Sequence, residues 1–335
     1  MLESSEDIKV VATARDGEEG YNLVKKFRPD IVTLDIEMPK MDGLTALKKI
    51  MSDCPTAVIM ISSITTEGAE ATLKAMEYGA VDFIPKDLSY VNVDIIKKKE
   101  ELIRKVKEIV RQRIFQERIK KLQKSAKTGS SSITSSRSAS NLPKINYQAL
   151  ALGISTGGPM SLQKVLPFLS DKIKIPMFIV QHMPPKFTKS LAERLNGLSA
   201  IQVKEAEQDE TIKNGVAYIA PGGFHMSVKK NGSGFASISI SEQPAATLHR
   251  PSVDVMFSSV LNVYGKNTLG VIMTGMGKDG LEGISRLKSL GGYSIAQNEE
   301  TCVVYGMPRA VVEAGFADAI LPLEEIAPTI NKVLV

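Results

Sequence analysis

The chain has 335 residues, 43% of them hydrophobic, with a formal net charge of +5 and two cysteines. That length buries one or two ordinary cores, so two domains are the first expectation. No apolar run approaches the ~18 residues of a membrane span, and the acidic start Met1-Leu2-Glu3-Ser4-Ser5-Glu6-Asp7 lacks the basic and apolar regions of a signal peptide. Cys54 and Cys302 alone make neither a zinc cage nor a disulfide framework, so a cytoplasmic protein with no structural metal and no membrane insertion is expected.

From the N-terminus, short apolar runs alternate with helical patterns. Strands are predicted at 8–14, 31–34, 57–61 and 81–84, with helices at 17–27, 43–51 and 68–78. This alternation implies a parallel sheet. A long basic helix follows over 91–122, with Ile96, Ile103, Val106, Val110 and Ile114 giving an apolar stripe. Residues 97–124 hold 12 Lys/Arg against 4 Asp/Glu, so the rest of the chain is net acidic. The segment has one aromatic, Phe115, and no nucleic-acid motif, which reads as a solvated linker helix rather than a nucleic-acid contact. Residues 125–141 are Ser-rich and read as a flexible tether.

A second α/β unit begins near Asn146, with buried strands predicted at 149–154, 176–180, 216–220, 269–273, 293–297 and 319–321. Alternating residues at 225–229 and 235–241 flank a Gly-bearing turn and read as an antiparallel hairpin at the edge of the parallel sheet. The resulting division is 1–92, a linker over 93–145, and 146–335.

The run Gly153-Ile154-Ser155-Thr156-Gly157-Gly158-Pro159 ends a predicted strand and opens a helical pattern. It has the G-x-S-x-G shape of a nucleophile elbow, in which a tight turn exposes a serine hydroxyl. That hydroxyl needs a base to take its proton, and the chain holds three histidines. His182 directly follows the run Pro176-Met177-Phe178-Ile179-Val180 and its Gln181, at the sheet edge where open α/β sheets present their ligands. His225 and His249 follow no parallel strand. Val271-Ile272-Met273-Thr274-Gly275-Met276-Gly277-Lys278-Asp279-Gly280 again runs from a strand through a Gly-rich loop to a helix over 281–290. Asp279 could hold His182 in its working tautomer, or simply cap that helix. The loop's small residues leave backbone N–H groups for a developing oxyanion. Phosphate-binding readings fail, because the middle glycine of a dinucleotide loop and a Gly-Lys-Ser/Thr P-loop are both missing.

The elbow, Gln181-His182-Met183-Pro184, His249-Arg250-Pro251-Ser252-Val253-Asp254 and Thr274-Gly275-Met276-Gly277-Lys278-Asp279-Gly280 together resemble the chemotaxis protein-glutamate methylesterase family, CheB, over nearly all of 147–335. The resemblance implies a three-layer α/β/α domain with a mostly parallel sheet and an antiparallel hairpin. It implies a Ser155, His182, Asp279 triad, with the Met276 amide on the oxyanion and no cofactor for catalysis. Family members hydrolyse γ-glutamyl methyl esters on the cytoplasmic helices of chemoreceptors, releasing methanol, and many deamidate receptor glutamines.

The first part resembles a flavodoxin-like receiver domain. Asp30-Ile31-Val32-Thr33-Leu34-Asp35-Ile36-Glu37-Met38-Pro39 is similar to a phosphoacceptor loop, which makes Asp35 the acceptor, Ser62 the switch hydroxyl and Lys86 the phosphoryl-pairing lysine. A chemotaxis histidine kinase is the implied partner, and phosphorylation is implied to lift the receiver's cover from the esterase site. The family's first strand, the following helix and the acidic pair that carries Mg²⁺ find no counterpart in this sequence. Residues 8–14 are therefore expected to slide into the empty position or stay a poorly paired edge, and Asp35 to take up phosphate poorly. Pro85 precedes Lys86, where the usual receiver places proline after it. Two other readings stay open: a hydrolase of this scaffold in another signalling pathway, and a non-catalytic receiver-linked binding protein.

Overall fold

Asp16, Asp42 and Thr65 start the first three helices, each side chain accepting the amide three residues on. Such a cap contributes about 1 kcal/mol. In this computed structural model the helices are α1 (Gly17–Phe27), α2 (Gly43–Asp53) and α3 (Thr66–Glu77). Residues 2–86, 92–126, 142–143, 145–230 and 235–335 are described, and the chain divides into two units, 1–129 and 130–335.

In the first unit, β1 (Ile31–Asp35), β2 (Ala57–Ser63) and β3 (Asp82–Lys86) form a parallel sheet in that order. Central β2 buries Ala57, Val58, Ile59 and Met60 in succession, the pattern of a strand covered on both faces. Pro85 lies in β3, at the sheet's edge, where a missing N–H disturbs no ladder. The basic helix is α4 (Asn92–Ala126). Its Lys105 is drawn inside, with Nζ 2.8 Å from Asp82 Oδ2 and donating to the Phe83 carbonyl at 3.0 Å. The tether expected over 125–141 lies outside the described residues from 127 onward.

Residues 8–14 correct the sequence reading: they pair with no strand and are mostly exposed. Only Arg15 and Asp16 separate them from α1, which is tied to the α2 side by the Gly17 amide on the Met41 carbonyl at 3.1 Å. That anchor holds the segment off the β1 edge. Between them lies a cavity of about 1240 Å³, lined by 8–14, by β1 and by Val106 and Val110 of α4.

The second unit is built on seven parallel strands: β4 (Ala149–Ile154), β5 (Met177–Gln181), β6 (Gln202–Glu205), β7 (Val216–Ile219), β10 (Thr268–Ile272), β11 (Tyr293–Gln297) and β12 (Ala319–Leu321). Their order is β12-β11-β10-β4-β5-β7-β6. The sequence reading misses β6, whose Gln202-Val203-Lys204-Glu205 buries only Val203. An edge strand with charged side chains carries little apolar signal. The chain moves outward from β4 on one side through β5 and later fills the other side with β10, so the carboxyl ends of β4, β5 and β10 flank a topological switch point.

The helices are α5 (Gly158–Val165), α6 (Phe187–Leu198), α7 (Val253–Tyr264), α8 (Leu281–Ser289), α9 (Met307–Glu313) and α10 (Leu323–Leu334). Core residues Phe178, Tyr218, Phe257, Ile272 and Leu287 are fully buried. The hairpin of β8 (His225–Lys230) and β9 (Ala236–Ser241) forms, but as a separate two-stranded sheet and not at the parallel sheet's edge. Its apolar side, Met226, Val228 and Ile238, joins the same core as α7, where that surface is removed from water. Among the described residues no helix is long and apolar enough to cross a membrane.

Candidate active site

Ser155 and His182 are the first residues past β4 and β5. The ladder pairs Ile154 with Gln181, so its next rung is Ser155 beside His182, and the His182 amide donates to the Ile154 carbonyl at 3.1 Å. The Ser155 amide donates to the Thr274 carbonyl at 2.9 Å, which binds the elbow to the loop after β10. Gly157 turns the chain at φ 76°, and a Cβ there would lie 2.5 Å from Val303. Only glycine accepts both the left-handed backbone and the contact.

Asp279 closes the arrangement from the β10 loop. Its Oδ2 lies 2.8 Å from His182 Nε2, and both side chains are nearly buried. The carboxylate also accepts the Ser252 hydroxyl at 3.0 Å and the amides of Val253 at 2.7 Å and Asp254 at 3.0 Å. Asp279 thus caps α7, and not α8 as one sequence reading had it; α8 has Gly280 at its own start. Burial alone would raise the Asp279 pKa. The His182 hydrogen bond and charge, with the two helix amides, outweigh that and hold it well below the usual carboxylate range.

Because Nε2 faces Asp279, the imidazole's Nδ1 is the nitrogen left for a serine proton. Nδ1 is buried and has no hydrogen-bond partner among the described residues, so the serine–histidine hydrogen bond is open in this conformation. Neighbouring strands of a sheet lie about 4.8 Å apart, within reach of a side-chain rotation, and such bonds commonly tighten only around substrate.

The other two histidines separate clearly. His225 is fully buried; its Nδ1 accepts the Ser252 amide at 3.2 Å and its Nε2 lies 3.2 Å from the Pro244 carbonyl oxygen. Burial lowers its pKa, and with both ring nitrogens engaged it is a loop anchor. His249 stacks on His182, with ring centroids 4.3 Å apart and planes at 20°. Sequence spacing carries no sign of that contact.

Gly275 lies against the serine: a Cβ there would come within 2.7 Å of Ser155 Cβ and 2.5 Å of Met307 Sδ. The loop is pinned by the Gly275 amide on the Val304 carbonyl and by the Gly306 and Met307 amides on the Gly275 carbonyl. The next residue, Met276, is half-buried, and neither its amide nor that of Thr156 meets another protein group among the described residues. Two supporting side chains escape the sequence reading. Gln181 Nε2 donates to the Ser155 carbonyl at 3.0 Å, and Thr274 Oγ1 donates to the Thr156 carbonyl at 2.9 Å while accepting the Val303 and Val304 amides. Nothing in local periodicity tells which way a buried Gln or Thr turns.

In the first unit, Asp35 ends β1 and Lys86 ends β3, and Lys86 Nζ donates to Asp35 Oδ2. The Glu37 amide donates to Asp35 Oδ1 at 3.2 Å. The Ser62 hydroxyl is buried and donates to the Gly68 carbonyl at 3.0 Å, and not to Asp35.

Comparisons with known proteins agree with this layout. The CheB methylesterase family model matches residues 150–330, and the response regulator receiver domain model matches 1–97. A protein-glutamate methylesterase/protein-glutamine glutaminase of Oleidesulfovibrio alaskensis is 47% identical, with 100% of this chain and 94% of the relative covered. One of the same name from Pyrococcus abyssi is 44% identical, with 100% and 89% covered. The crystal structure of the Thermotoga maritima CheB methylesterase catalytic domain is 42% identical with a TM-score of 0.54, covering 56% of this chain and all of that one. The chain therefore belongs to the CheB methylesterase family, with a receiver domain ahead of its esterase domain.

Proposed function

We propose that Ser155, His182 and Asp279 form the catalytic triad of a protein-glutamate methylesterase acting on chemoreceptors in chemotaxis adaptation. The observation that carries this reading is the 2.8 Å His182–Asp279 bond at a strand end beside which, on the neighbouring strand, stands Ser155. The serine hydroxyl attacks the γ-ester carbonyl and gives its proton to His182 Nδ1. Asp279 holds the ring by Nε2 and stabilises the imidazolium. The free amides of Met276 and Thr156 suit the oxyanion. His182 then protonates departing methanol, and water releases the acyl-enzyme by the reverse sequence. A glutamine side chain is an acyl compound too, so the same steps with ammonia leaving give the glutaminase activity in the relatives' names.

Control belongs to the receiver domain, with Asp35 as the phosphoacceptor, Lys86 as its cationic partner, Ser62 as the switch hydroxyl and a chemotaxis histidine kinase as the phosphoryl source. Such transfer ordinarily uses Mg²⁺ held by carboxylates. Among the described residues no cluster of three His, Cys, Asp or Glu side chains could hold a metal, and Asp35 is taken up by Lys86 and the Glu37 amide. The ion does not fit the site as it stands.

Methanol release from methylated chemoreceptor membranes tests the triad. Ser155→Ala is expected to lose about 10⁴-fold or more in kcat, and retention of most activity excludes Ser155 as the nucleophile.

A further inference from the structure

Helices α7 and α8 begin side by side, and each is capped by a carboxylate from the other's start. Three amides open α7. Val255 donates to its N-cap Ser252 Oγ at 3.4 Å, while Val253 and Asp254 donate to Asp279, which stands just before α8. Helix α8 begins at Gly280, which has no side chain with which to cap it. The missing oxygen comes from α7: Asp254 Oδ1 accepts the Gly283 amide at 2.8 Å. The helix starts are close enough that a Cβ at Gly280 would lie 2.9 Å from Val253 Cγ1, and one at Gly283 would lie 2.4 Å from Phe257 Cβ.

We propose that Asp254 is a positioning residue of the hydrolytic site: by this crossed pair of caps it fixes Asp279 on His182 and sets a second negative charge behind it. The proposal rests on the triad reading and extends it by one residue. Asp254 touches neither His182 nor the reacting atoms and acts through Asp279.

Burial and the neighbouring Asp279 charge push the Asp254 pKa up to about 6, against the opposing pull of the Gly283 and Gly280 amides. Above that pH the side chain is an acceptor and the crossed caps are complete. Below it, the neutral acid offers a proton to Asp279 and competes with His182 for its oxygens. The ionisable groups on neighbouring elements include Asp279 and Lys278 before α8, Glu282 and Arg286 on α8, His225 at the start of β8, His249 and Arg250 in the loop before α7, and His182 after β5. Arg286 is engaged with Ser258 and Asn262 further along α7, and His225 Nδ1 accepts the Ser252 amide.

The test is Asp254→Asn in the full chain, assayed by methanol release from a peptide carrying a glutamate γ-methyl ester, as a function of pH. Asparagine keeps an oxygen for the Gly283 amide, so the fold survives while the charge is lost. Removing a negative charge near His182 lowers its basicity. The acid-side midpoint of kcat/KM is expected to move down by about half a pH unit, with kcat down roughly 5-fold and KM within about 2-fold. Asp254→Ala, which loses the cap as well, is expected to fall further in kcat, and circular dichroism reports whether it folds. A purely structural role would leave the pH midpoint in place. The proposal is overturned if the acid-side midpoint of Asp254→Asn stays where it is in the unsubstituted chain, whatever happens to kcat. Ser155→Ala measured alongside separates the two failures: retention of most activity there overturns the triad, whereas its loss of about 10⁴-fold or more with an unmoved Asp254→Asn profile overturns this inference alone.

Discussion

His182 shows how much of a side chain's behaviour is set by its neighbours. Asp279 takes Nε2, and the His249 ring covers one face at 4.3 Å, so the imidazole is restrained both in its plane and across it. A stacked ring contributes about 0.5–1.5 kcal/mol beyond the area it buries. His249→Ala is therefore expected to lower kcat roughly 3- to 10-fold by letting His182 rotate, and His249→Phe, which keeps a flat ring, to recover most of it. Steady-state kinetics on methylated receptor membranes distinguishes the two, and equal losses would show that the stack does not restrain His182. Asp279 adds a stability consequence. Its pKa is depressed in the folded state, so the stability it contributes is full above the unfolded value and is lost as pH falls through the folded one.

Among the elements, α4 is the one whose sequence most invites a different reading. Its basic character suggests an entirely solvated helix, yet Lys105 is buried against Asp82 and the Phe83 carbonyl at the base of β3. Asp82, Glu101 and their hydrogen bonds raise the Lys105 pKa against the large opposing effect of burial. Lys105→Met leaves the buried Asp82 carboxylate uncompensated and is expected to cost about 3–5 kcal/mol in denaturant unfolding. Replacing both partners with apolar residues is expected to recover most of that loss; a double variant no more stable than the single one would contradict this account. The strands show where sequence was legible. β2, β4, β5 and β10 are continuous apolar runs because both faces are covered. β6 was not legible, since one buried Val203 among Gln202, Lys204 and Glu205 resembles a loop. Residues 8–14 erred the other way: their composition suits a strand, but a strand needs a partner, and α1 holds them off β1.

At the scale of the whole molecule, two units divide control from chemistry. The second keeps its own core and brings Ser155, His182, Asp279 and Met276 to one rim of a single sheet. The first carries Asp35 and Lys86 at the ends of a three-stranded sheet. With no cluster of metal-holding side chains among the described residues, the full chain incubated with acetyl phosphate and Mg²⁺ is expected to incorporate well under one phosphate per chain. Radiolabel counting checks this, and stoichiometric uptake at Asp35 would contradict it.

Local chemistry determined what the sequence could announce by itself: the continuous apolar runs of the central strands, helix starts at Gly17 and Gly43, and the glycine-flanked serine at a strand's end. Each of these depends on residues within a few positions. Only the tertiary structure decided that Nε2 of His182 faces the Asp279 carboxylate, that Asp279 caps α7, that His249 rather than His225 stacks on the His182 ring, and that the hairpin stands apart from the sheet. Those are choices of partner between segments remote in the chain, and they are settled by which amides and apolar faces packing leaves unsatisfied.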